Sequence, residues 1–495
     1  MLALFVLIPL TAAAVISAIN RFPRRILDAV SVISTVCVAV ISFRILNTVI
    51  HNGIAVYKIG GWLPPAGITL VADGLTAMML VLVNVVISLL MIYSVEYAEH
   101  YSNKWKYYAL FQLLLAGLNG VLISGDLFNM FIFLEIASIA SYALVSYECD
   151  GESFEASIKY AVPGTLSSIL ILLAIALIYA KTSTLNLADI AMSWNNDRNI
   201  FNILIVALLT AGFAFKTALV PFHSWLPDAH PSAPSPISAV LSGVVIKTIG
   251  VYAMMRLFFN VIGFSHAFSS ILLILGTISM LSGVLLALSQ WDFKRLLAYH
   301  SISQVGYIIL GLGLGTPLGI LGGLFHLFNH SLFKPLLFLV AGSVQRATGT
   351  RNLKELGGLN KKMPLTGFSS LVASLSISGI PPLNGFWSKL IIILACIQAG
   401  KYWFASFAVF ASILTLASFL KIQRYVFFGF QKDRFLNVKE SGWKMTVPMI
   451  VISVLCVCAG MLLLSGIYEN FLGLAQNALL SGTGYAKLVA LELMK

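Results

Sequence analysis

The chain has 495 residues, 59% of them hydrophobic and 10% charged, with a net charge of +12 at pH 7 and a mean hydropathy of +0.93. A soluble domain carries about 25% charged residues, so the composition excludes a soluble enzyme, and the recurring apolar runs of roughly 18 residues or more predict an all-α polytopic membrane protein. The basic excess does not call for nucleic acid, because it falls in loops, and the five cysteines, at positions 37, 149, 396, 456 and 458, are too scattered for a zinc or iron–sulfur site, so no metal or cofactor is expected.

In chain order the apolar runs fall near 2–19, 26–49, 70–94, 107–124, 128–147, 160–180, 201–219, 234–260, 267–289, 296–316, 318–343, 365–398, 402–426 and 445–465. They predict about fourteen spans of bilayer length. The first run has no basic residue ahead of it, so it is read as a span and not as a cleaved leader. Placing "NRFPRR" in the cytoplasm puts "QWDFKR", "QRATGTRNLKELGGLNKKMP" and "QKDRFLNVKESGWK" on the same side. That side then holds about 19 basic residues against about 6 opposite, the asymmetry that sets orientation. Both termini are then extracytoplasmic. The tail beyond 466 carries no decisive pattern.

The charges inside the spans are the informative ones. Arg44 and Arg256 are near span ends, where they can snorkel to the interface. Lys216, Lys247, Lys334 and Lys389 are deeper, and Glu135 is the one acid well inside a span; Asp73, at the start of the third, reads as interfacial. Each charge at depth costs at least ~2.5–3.5 kcal/mol and marks an ion pathway or a buried pair. A static Glu135–Lys216 pair would leave three lysines unneutralised, which favours a relay. His326, His330 and Lys334 follow at i, i+4 and i+8, on one helix face. Imidazoles there can pass protons near neutral pH. No HExxH or other ligand set accompanies them, so metal binding is not expected.

Prolines break two spans. "FKTALVPFHSWLPDAH" follows Lys216 and "SISGIPPLNGFWSKL" carries Lys389. Laying Pro221 on Pro382 brings Trp225 opposite Phe386 and Asp228 opposite Lys389. The two passages lie five spans apart and run in opposite directions through the membrane, the pattern of an ion path between inverted repeats. Proline frees backbone carbonyls, which survive at depth only where protein or water satisfies them.

With "SGDLFNMFIFLEIASIASYALV", "KRLLAYHSISQVGYIILG" and "NHSLFKPLLFLVAGSV", these passages resemble the antiporter-like subunits shared by respiratory complex I, the multisubunit Mrp Na+/H+ antiporters and membrane-bound hydrogenases. The resemblance covers nearly the whole chain. It implies fourteen helices with two inverted five-helix repeats and discontinuous seventh and twelfth helices. The expected divisions are 1–106 as an N-terminal three-helix segment, 107–260 as the first repeat (spans 4–8), 261–430 as the second (spans 9–13) and 431–495 as the last span and tail. It also implies a proton relay. In it Glu135 and Lys216 are a switching ion pair, Lys247 is the central lysine, His326 and His330 are bridging groups, Lys334 lies toward the cytoplasmic end and Lys389 is the terminal group.

The middle antiporter-like component of complex I generally has glutamate where Lys389 stands. Lysine there, His300 in "AYHSIS" and "GDLFNMFIFLE" are most similar to the D-type component of Mrp antiporters and its membrane-bound hydrogenase counterpart. The implied activity is proton translocation in the cell membrane, beside other membrane subunits, with Na+ as a candidate second ion. The driver is either cation antiport or a redox complex. No nucleophile motif, redox centre or cofactor loop supports a free-standing enzyme, and no substrate cavity marks a transporter of another solute. The topology is checked by labelling. Cysteines introduced in the 345–364 loop, which carries five Lys+Arg, are expected to react only from the cytoplasmic side, and reaction from outside would overturn the span count.

Overall fold

The computed structural model describes residues 1–195 and 199–494. The N-terminal segment contains α1 (Leu4–Ala18), α2 (Arg24–Asn52) and α3 (Gly74–Tyr97). Between α2 and α3 the chain makes an antiparallel hairpin of β1 (Ala55–Lys58) and β2 (Thr69–Ala72), paired from Ala55–Ala72 to Lys58–Thr69. The third span, expected from residue 70, therefore begins later. Asp73 sets the boundary, since its carboxylate accepts the Thr76 N–H at 3.0 Å and caps α3.

Next come α4 (Lys104–Ile123), α5 (Leu127–Val145), α6 (Gly151–Thr182), the short α7 (Leu187–Ser193), α8 (Ile200–Lys216), α9 (Leu226–Ser232) and α10 (Ser235–Val261). The second half has α11 (His266–Ser289), α12 (Phe293–Gly313), α13 (Pro317–Thr348), α14 (Pro364–Ser378), α15 (Asn384–Gln398), α16 (Tyr402–Phe427) and α17 (Trp443–Leu463). The tail folds into α18 (Leu472–Leu480) and α19 (Gly484–Leu493). Among the described residues, eleven helices are long and apolar enough to cross a bilayer, and the shorter apolar helices α1, α8, α14 and α15 occupy the remaining expected spans. The fold is a polytopic all-α membrane protein.

The polarity is inside out. On α6 the exposed stripe is Phe154, Ile158, Val162, Leu166, Ile169 and Leu173, while Ser153, Ser167 and Ser168 point inward. Lipid takes the apolar stripe, and the hydroxyls bond within the protein. Helices α10, α12 and α13 are almost wholly enclosed by the others.

Both proline passages stop a helix in the same way. The Leu219 N–H bonds Ala214 O at 3.0 Å and the Ile380 N–H bonds Leu375 O at 3.1 Å. Each closure turns through a left-handed residue, Ala218 (φ 54°) or Gly379 (φ 79°), as a Schellman C-cap requires. A second device also recurs. Asp126 and Asp292 cap α5 and α12 through the N–H groups of Asn129 (2.8 Å) and Arg295 (2.9 Å), and each bridges to an asparagine, Asn186 or Asn352, that itself caps the next short turn.

Helix α10 departs from α geometry. Its backbone is π-helical over Leu241–Tyr252 and again over Arg256–Val261. Such segments are rare, occur often at functional sites, and here one contains Lys247. Helices α11 and α12 pack closely, so that a Cβ on Gly306 would come within 2.5 Å of both Gly276 O and Met280 N. Gly306→Val is therefore expected to destabilise the protein by about 1–3 kcal/mol through overpacking, read as a lower melting temperature of the purified protein; an unchanged value would show that α11 and α12 can separate.

Candidate functional site

The expected charges assemble into a row that is buried except at half-buried Glu135. It begins on α5, where Glu135 accepts a hydrogen bond from the Ser168 hydroxyl of α6. Lys216, the last residue of α8, is buried with its Nζ 3.6 Å from Glu135 Oε1. The same ammonium donates to Ser138 Oγ and Ser168 Oγ, each at 3.0 Å. The Ser168 hydroxyl thus links acid and base through hydrogen bonds to both. The broken helix contributes too, because the negative end of the α8 dipole stabilises a cation at its C-terminus.

Beyond Lys216 lies a cavity of about 10 Å³ lined by Tyr160, Gly164, Phe215, Lys216, Trp225 and Ile249, at the lower limit for one water molecule. Ile249 belongs to the π-helical segment that carries Lys247. Lys247 is fully buried, and its Nζ donates to the backbone carbonyl of Ser242. Lys334 on α13 is likewise buried, donates to Leu297 O and lies 5.5 Å from the Phe338 ring centroid. Neither ammonium has a carboxylate partner among the described residues.

His330 and His326 continue the row along α13, with ring centroids 6.5 Å apart. His326 bonds Ser388 Oγ through Nδ1 at 2.9 Å and Gln304 Oε1 through Nε2 at 3.2 Å. Ser388 precedes Lys389, whose Nζ donates to Ile377 O at 2.7 Å and Ser412 Oγ at 3.2 Å. The Tyr307 ring lies 4.9 Å from the Lys389 ammonium and 5.5 Å from the His326 ring. Ile377 O is one of the carbonyls freed where α14 stops, so the break itself supplies the acceptor for the terminal lysine.

The structure brings Lys216 beside Glu135, His326 beside His330, and His326 and Lys389 around the Tyr307 ring; Lys247 and Lys334 are buried on α10 and α13. Sequence reasoning missed the neutral linkers Ser138, Ser168, Gln304, Ser388 and Ser412. It also passed over His230 on α9, which, like His300 and His330, is fully buried with neither ring nitrogen hydrogen-bonded to protein. The available signal for His230 was its place in the proline passage. Near α9 a polar cavity of about 350 Å³ is lined by charged side chains, among them Asp228, which pairs with Lys159 and Arg295 at 3.1 Å, and Arg351, which pairs with Glu152 at 2.6 Å.

One expectation is corrected. Arg256 does not snorkel; it is buried and joined to Asp73, at the start of the third span, by two hydrogen bonds of 2.7 Å. Buried charge was thus legible in the sequence, but its pairing across 183 residues was not.

A path of this kind can pass protons between hydroxyl, imidazole and ammonium groups without a cofactor. Comparison with known proteins agrees on the family. Residues 124–415 match the family model for the transmembrane region of NADH:quinone oxidoreductase and Mrp antiporters, and residues 62–108 match the complex I chain 5 N-terminus. The chain belongs to this family of antiporter-like membrane subunits. It is 38% identical over 437 residues, 87% of this chain and 88% of the other, to the D component of the Na(+)/H(+) antiporter of Alkalihalophilus pseudofirmus. Its structure resembles a chain of the Mrp complex from Dietzia sp. (TM-score 0.91, 29% identity, covering 99% and 98% of the two chains). It also resembles a chain of the membrane-bound sulfane sulfur reductase, an archaeal respiratory membrane complex (TM-score 0.90, 32% identity, covering 98% and 99%).

If the row is a relay, losing one titratable link stops it. Glu135→Gln, Lys216→Ala, Lys247→Ala and Lys389→Ala are each expected to cut transport at least ~100-fold, the loss typical of a missing proton-transfer group, with assembly nearly normal. A static pair behaves otherwise. Removing one partner costs ~3–5 kcal/mol, so loss of assembled protein on a native gel would identify a structural role.

Proposed function

We propose that the chain is the D-type, proton-translocating subunit of a Mrp-type cation/proton antiporter. What carries the reading is the buried row from Glu135 to Lys389, in which three lysines lack a carboxylate among the described residues. A purely structural charge needs a partner, whereas a carrier must be able to lose its proton. The similarity to the D component of a Na(+)/H(+) antiporter and to a chain of the Mrp complex supports antiport as the driver.

In this reading α8 with α9, and α14 with α15, are the two broken spans of inverted repeats over 107–260 and 261–430, and the spans number fourteen. The matched Schellman closures and the matched Asp–Asn bridges support the repeats. The positive-inside asymmetry supports extracytoplasmic termini in a cell membrane. Protons enter from the charged cavity near α9, pass His230 and reach Lys247. The Glu135–Lys216 pair acts as the switch. When Lys216 moves toward Lys247, Glu135 loses its counter-ion and the like charge favours deprotonation of Lys247. Na+ exchange then depends on the neighbouring subunits.

A second reading has the same relay driven by redox chemistry in a partner. The similarity to a chain of the sulfane sulfur reductase favours it, and the local chemistry is unchanged.

Both readings make this chain dependent on partners, because among the described residues the titratable groups supply no second ion site and no driver. The purified chain and the assembled complex are to be compared in liposomes under an imposed Na+ or pH gradient. Exchange is expected only from the complex. Exchange by the single chain at the rate of the complex would contradict the proposal.

A further inference from the structure

The buried Asp73–Arg256 pair is remote from the row, yet Arg256 stands on the same helix as Lys247. Arg256 Nη1 and Nη2 donate to the two Asp73 oxygens, each at 2.7 Å. The guanidinium also bonds Asn260 Oδ1 (3.1 Å), Thr76 Oγ1 (3.1 Å) and Tyr252 OH (3.3 Å). Tyr252 closes the π-helical segment that contains Lys247, and its hydroxyl donates to Leu122 O on α4 at 2.7 Å. The tail covers the group from the other side. Asn260 Nδ2 donates to Ala478 O at 2.7 Å and Gly482 O at 3.1 Å, and the Tyr485 ring centroid lies 4.9 Å from Arg256 Cζ. Gly74, beside Asp73, packs so closely on α18 that a Cβ would lie 2.4 Å from Leu474 O. The end of α10 is therefore held by α3, α4 and the C-terminal helices at once.

This matters because π-helical backbone is not what a chain adopts unaided. Tertiary contacts have to hold it, and relaxation toward α geometry rotates every residue upstream of the held end. We propose that the Asp73–Arg256 pair, with Tyr252, Asn260 and the C-terminal helices, is a positioning element for Lys247. It keeps α10 π-helical and so fixes where the Lys247 ammonium stands between Lys216 and His330. Arg256 and Asp73 carry no proton in this scheme, and the inference rests on the reading of Lys247 as a relay group.

The test uses the whole complex in vesicles, with transport normalised to assembled complex and measured against Na+ concentration. Tyr252→Phe removes one hydroxyl and Asn260→Leu removes the tie to the tail; neither empties the ion pair. Each is expected to lower the maximum rate roughly tenfold to a hundredfold, the cost of misplacing a reacting group by about an ångström, with the half-saturating Na+ concentration unchanged. Arg256→Lys keeps the charge and loses the two-pronged contact, so it is expected to fall in the same range. The exchanged pair Asp73→Arg with Arg256→Asp is expected to recover part of the rate lost in either single variant. Lys247→Ala is run alongside. If it still transports, the relay reading fails. If it is inactive while Tyr252→Phe and Asn260→Leu run at the normal rate per complex, or if none of the variants assembles, the cluster serves folding alone and the positioning inference is overturned.

Discussion

An ammonium group in the middle of a bilayer protein costs at least ~2.5–3.5 kcal/mol, and this chain buries Lys216, Lys247, Lys334 and Lys389, of which only Lys216 has a carboxylate beside it among the described residues. That constraint shapes the architecture. Lys389 is satisfied by the Ile377 carbonyl, freed where α14 stops, and by Ser412. Lys216 sits at the C-terminal end of α8, beside two serines. Lys247 bonds a carbonyl within its own π-helical segment. The broken helix and the π-helical backbone supply acceptors for Lys389 and Lys247, while Lys334 uses a carbonyl of the intact helix α12, that of Leu297.

Neutral acceptors hold an ammonium without fixing its charge. A carboxylate partner stabilises the protonated lysine strongly, whereas a carbonyl or hydroxyl also accommodates the neutral amine. Under the proposed relay, the distribution of partners sorts the charges by role. Arg256 cannot release its proton, has two short bonds to Asp73 and sits among tyrosines, as a structural charge should. Lys247, Lys334 and Lys389 have no such partner among the described residues. Lys216 is intermediate: its acid is 3.6 Å away, with the Ser168 hydroxyl between them, which suits a contact that must open and close.

Much of this was readable from residues alone. Long apolar runs locate the spans because lipid demands them, and a charge within such a run is costly enough to be informative by itself. The i, i+4, i+8 spacing placed His326, His330 and Lys334 on one face of α13, and the two proline passages located the breaks. What escaped has physical reasons. Ser168 and Ser388 are as common in helices as any serine, and only the fold puts them against Glu135 and His326. Asp73 with Arg256 required two distant span ends to meet, and each alone resembles an interfacial residue. The start of α3 was misplaced because Thr69–Ala72 is as apolar as a helix, and only Asp73 and the pairing with Ala55–Lys58 make it a strand. No period in the sequence announces the π-helical run over Leu241–Tyr252.

The central claim is that these lysines carry protons and are not only fixed charges. Lys216→Arg is the most direct measurement, because arginine preserves charge and donors but does not deprotonate in a protein. The rate of ion exchange per assembled complex, determined in vesicles with the variant and the unaltered chain, is predicted to collapse while assembly is retained. An assembled Lys216→Arg complex transporting at the normal rate would contradict the account.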